Sequence, residues 1–140
     1  MALTSLGQVG QRSARAAAAE LAPDVVITLG VFPVRARREP EETLVVVGKG
    51  PAILLRSSRF VADVWLTERL IETASKARIP FQVAVAGSNP TGAEQMQAVG
   101  GGIPTATVLV PGTGVGTPRQ AVEIRDLEAT LELLARALER

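Results

Sequence analysis

Histidine and cysteine are both absent from the 140 residues. Their absence removes the usual general base near neutral pH, the commonest metal ligand, thiolate chemistry and any disulfide framework. The stretch LVPGTGVGTP, Leu109 to Pro118, runs out of an apolar segment into a loop with Gly112, Gly114 and Gly116 and no side chain that could bind or catalyse. A dinucleotide fingerprint needs a wider glycine spacing opening directly into a helix, and a phosphate loop needs a following Lys and Ser or Thr. Here Thr117 and Pro118 follow, which favours a plain connection. The stretch AGSNPTGAEQM gathers the acceptors Ser88, Asn89 and Thr91 at a helix start, a pattern that could hold an anion or merely cap the helix. Glu94 and Glu123 also stand near helix starts, where the dipole favours surface carboxylates.

Charge excludes other classes. Fifteen Lys and Arg against fourteen Asp and Glu leave a net +1, and there are only three Phe and one Trp to stack on bases. Neither nucleic acid nor an anionic membrane is expected as a partner. Arg35, Arg37 and Arg38 cluster in VRARREP, but Glu39, Glu41 and Glu42 follow at once, as in a solvated loop. No apolar run approaches the roughly 18 residues that span a bilayer, and the first residues lack the charged start and apolar core of a secretory leader. A cytoplasmic location is the expectation, and the length suits one domain.

The elements that must position these residues alternate between helices and strands. QRSARAAAAELA favours a helix over about Gln11 to Leu21, stopped by Pro23. DVVITLGV is nearly all apolar and rich in β-branched residues, which predicts a central strand covered on both faces. TLVVVGKGPAILL predicts two short antiparallel strands around Gly48, Lys49, Gly50 and Pro51. ADVWLTERLIETASKARI carries Leu66, Leu70, Ile71 and Ala74 at helical spacing, with Asp63 as cap. PFQVAVAG is a strand, TGAEQMQAVGGG a short helix, and IPTATVLVPG another strand. From about Arg125 the spacing predicts a last helix with Leu127, Leu131, Leu134 and Leu138 as its apolar stripe and Glu132 and Arg136 paired elsewhere on it. The fold class is therefore α/β, one mixed sheet with helices on its faces.

Five blocks in order, VGQRSARAAAAELAPDVVITLGV, GKGPAI, LIETASKARIPFQ, GIPTATVLVP and TPRQAVEIRDLEATLELL, make nearly the whole chain resemble the binuclear-metal aminopeptidases, which include the tetrahedral, glutamyl and endoglucanase-like members. The resemblance covers the last part of the family's catalytic domain, without the front half or the inserted dimerisation domain. It implies a general base and a metal ligand at the positions of Gly7 and Gln8, metal-binding aspartates at those of Gly30 and Pro90, and a histidine ligand at that of Gly116. Every one of these positions carries a residue that cannot do the work, so no cofactor is expected. A catalytic zinc needs about three protein ligands, and a two-metal hydrolase needs more.

Three readings follow. The first is a noncatalytic relative that acts as an assembly or regulatory subunit. The second is one part of a composite metallopeptidase whose partner supplies the ligands. The third is a small-molecule or anion-binding module using the glycine loops. A truncated sheet leaves an edge or face open, so a homodimer, or a heteromer with a homologous aminopeptidase-like subunit, is expected.

Overall fold

The computed structural model describes residues 2–3, 10–34, 45–87 and 91–139. Helix α1 is Arg12–Leu21, ending at Ala22 in a left-handed conformation whose amide donates to Ala18 O. Strand β1 is Val26–Pro33, β2 Ala52–Arg56, β3 Gln82–Val85, β4 Thr105–Thr113 and β5 Ala121–Val122. Helix α2 is Val64–Ala77, α3 Ala93–Gln97 and α4 Ile124–Leu138.

Helix α2 forms as its pattern predicts. The Asp63 carboxylate accepts from Leu66 N at 3.5 Å, Thr67 Oγ1 donates to Asp63 O at 2.7 Å, and Arg78 closes the helix with φ 57°. Leu66, Leu70 and Ala74 are buried and Ile71 partly so.

The sheet runs β1-β4-β2-β3, with β5 paired to β4. Strands β1 and β4 are parallel from Val26↔Thr105 to Pro33↔Gly112, β2 lies antiparallel to β4, and β3 lies parallel to β2. Ile53, Ala106 and Val108 meet Leu66, Leu70, Leu133 and the small residues of α2 and α4 in one apolar layer. Phe32, Ala52, Leu54, Leu109, Phe60 and Ala93 form the layer on the opposite face, where α3 lies. Helix α1 packs on α3 so closely that a Cβ at Gly92 would run into Ala14 Cβ.

Three expectations need correction. Strand β1 is not central: among the described residues it pairs only with β4, at one edge of the sheet. Nor is it covered on both faces: Thr28 and Phe32 are buried on one, while on the other Ile27 and Val31 are only partly buried and Leu29 is exposed, and an apolar run does not tell these cases apart.

The run before Gly50 is not a strand among its described residues. Two side chains hold it instead. Gln82 Nε2 donates to Val46 O and Gly50 O, both at 2.9 Å, while Gln82 Oε1 accepts from Val46 N at 2.9 Å, so one amide imitates a strand neighbour. The Asp126 carboxylate, 1% exposed, accepts from Gly48 N at 2.7 Å and Gly50 N at 2.8 Å. Gly50 has φ 87° and stands where a Cβ would strike Pro80 O, so only glycine fits the bend.

The third correction concerns α4. Its buried residues are Asp126, Ala129, Thr130, Leu133 and Ala137. Leu127, Leu131 and Leu138 of the expected stripe are exposed, Leu131 by 70%, and only Leu134 packs partly on the core. Small and polar residues won the inner face because α4 lies close against α2 and β4 and because Asp126 has a loop to hold. The Glu132–Arg136 pair is on the exposed surface as expected, at 2.8 Å.

Candidate functional site

Of the described positions singled out by sequence, Gly30 lies within β1, Thr91 just before α3, and Gly112, Gly114 and Gly116 at and beyond the end of β4. Gly7, Gln8, Pro90, Ser88 and Asn89 lie outside the described residues, as do Arg35, Arg37, Arg38, Glu39, Glu41 and Glu42. Gly30, Thr91, Gly112, Gly114 and Gly116 are described.

Gly30 does not end its strand: β1 continues three residues further, to Pro33, and Gly30 pairs with Leu109 inside the sheet. The glycine loop is the tip of a hairpin, because β4 runs to Thr113 and turns back so that Thr113 and Gly112 pair with Ala121 and Val122. Thr117 organises this tip. Its hydroxyl lies 2.7 Å from Gly114 O and 2.9 Å from Arg119 O, and its amide donates to Gly114 O at 3.0 Å. These bonds close the loop on itself, which is what a hairpin needs and not what a phosphate cradle offers. Gly116 has φ 83° with nothing within 4 Å of an added Cβ. There is room for a larger side chain, but the backbone is left-handed and would strain any residue except glycine. From the level of Gly30 to the end of β4 is four residues, roughly 13 Å at the strand rise. Gly116 lies three residues beyond that end, in the turn between β4 and β5.

Thr91 faces inward. It is buried, its hydroxyl is 2.9 Å from Thr28 Oγ1, and Ala93 N donates to it at 3.3 Å. Thr28 Oγ1 is also 2.8 Å from Thr107 Oγ1 and donates to Ala106 O at 3.4 Å. Three buried hydroxyls thus tie β1, β4 and the segment before α3 together beneath the sheet face. Sequence reasoning took Thr91 as an acceptor at a helix start, for an anion or as a cap, and did not find this cluster. The signal was threonine at positions 28 and 107 in otherwise apolar strands, where a buried hydroxyl must find a partner.

Among the described residues the carboxylates do not assemble into a metal centre. Glu94 lies in the first turn of α3, Glu123 precedes α4 without making a side-chain cap bond, and Asp126 spends both oxygens on the Gly48 and Gly50 amides. Among the described residues no three His, Cys, Asp or Glu side chains are grouped so as to hold a metal ion.

The pattern of the M42 glutamyl aminopeptidases matches residues 2–133. The chain belongs to that family. A curated protein of Acetivibrio thermocellus, provisionally classed as an aminopeptidase, is 29% identical over 133 residues, 94% of this chain and 40% of its own length. The crystal structure of a TET aminopeptidase from a marine-sediment thaumarchaeon superposes with a TM-score of 0.86 at 26% identity, over 94% of this chain and 37% of that one. A TET peptidase of Pyrococcus horikoshii, which assembles into a tetrahedron or a large octahedral shell, gives 0.74 at 25% identity over 94% and 37%. The chain therefore spans about two fifths of the length of these M42 relatives, and its mixed α/β sheet is part of their fold. The binuclear metal centre implied by the resemblance does not fit the donors in place. The described residues at its matched positions are two glycines, one inside a strand and one at a hairpin tip with a left-handed backbone.

Proposed function

We propose that this M42 chain is a noncatalytic relative of the metallo-aminopeptidases and serves as a cytoplasmic assembly or regulatory subunit, as a homodimer or with a homologous aminopeptidase-like chain. The observation that carries this reading is the side-chain chemistry of the matched positions. Gly7, Gln8, Gly30, Pro90 and Gly116 contain no carboxylate, imidazole or thiolate, and the whole sequence has no histidine or cysteine to substitute for them. Without ligands there is no Lewis acid and no activated water, and without a carboxylate at Gly7 or Gln8 there is no base for the attack on a peptide carbonyl. The intact sheet, its two apolar layers and the bonds of Asp126 and Gln82 keep the scaffold while the chemistry is gone. The tendency of the Pyrococcus horikoshii relative to build closed shells supports an assembly role.

The test is hydrolysis of aminoacyl-nitroanilide substrates by the purified chain supplied with zinc or cobalt. No chelator-sensitive turnover is expected. Chelator-sensitive turnover by the chain alone would contradict the reading. Turnover that arises only when a ligand-bearing homologous subunit is added would replace it with the composite peptidase.

A further inference from the structure

We draw no further inference here: the strongest candidate, the exposed apolar stripe of Ile124, Leu127, Leu131 and Leu138 along α4, carries nothing, because the chain spans only about two fifths of the length of its relatives and nothing in the structure shows what covers that face.

Discussion

Asp126 is the residue on which two distant parts of the chain depend. Its carboxylate takes the Gly48 and Gly50 amides into the base of α4, and its own carbonyl accepts from Thr130 Oγ1 at 2.6 Å. Replacing it with alanine leaves the buried Gly50 amide and the more exposed Gly48 amide without their acceptor, and only Gln82 then holds the 46–50 loop. We expect Asp126→Ala to cost about 3 kcal/mol in urea unfolding and Asp126→Asn clearly less, since one oxygen remains to accept. Equal costs for the two would show that packing and not the charged acceptor matters. The Glu72–Lys76 pair, 2.9 Å apart, is the exposed counterpart: the hydrogen bond from Lys76, and then its charge, hold the Glu72 carboxyl below the usual carboxylate range. A lowered folded value contributes stability above the unfolded carboxylate range and loses it as pH falls through the folded value. In Lys76→Ala the Glu72 titration, followed by NMR, should move up, and an unmoved midpoint would contradict the pairing. No pattern in the sequence distinguishes Asp126 from Glu123 or Glu128, because what makes it structural is a loop 76 residues away.

Helix α4 shows where an element's sequence underdetermines its packing. Two sets of positions recur at helical spacing, Leu127, Leu131, Leu134 and Leu138 on one line and Asp126, Ala129, Thr130, Leu133 and Ala137 on the next. Hydrophobicity alone selects the first, and the structure buries the second, because alanine and threonine let the helix lie close to α2 and β4 while leucine fills the space only at position 133. The inner and outer leucines should therefore respond oppositely. Leu133→Ala should lose about 3 kcal/mol, and Leu131→Ala less than about 0.5 kcal/mol when measured on the monomer at high dilution. The reverse order would restore the stripe expected from sequence. Helix α2 was legible throughout, from the Asp63 cap to Ala74, because its apolar positions and its capping residue agree. Strand β1 was legible as a strand but not as an edge, since its neighbours are chosen by the rest of the sheet.

At the scale of the molecule, the family and the mixed sheet were readable from five blocks in order, whereas the threonine cluster, the hairpin at Gly116 and the amide and carboxylate clamps on residues 46–50 were not. The threonine cluster and the two clamps join residues far apart in sequence, the hairpin closes through local bonds of Thr117, and a hydropathy pattern treats all of these polar groups as loop or noise. The whole molecule also sets the expectation for restoring chemistry. A variant with Gly7→Glu, Gln8→Glu, Gly30→Asp and Gly116→His should show no metal-dependent peptidase turnover as a lone protein. Position 116 has a left-handed backbone at a hairpin tip, and the chain spans only about two fifths of its relatives. Turnover by that variant would mean that the remaining ligands are already present in these 140 residues. The most direct test of the central claim is elemental analysis of the native chain after equilibrium dialysis against zinc and cobalt at neutral pH. A noncatalytic M42 scaffold should retain well under one metal ion per chain, whereas one or two ions held per chain and removed only by a strong chelator would contradict it.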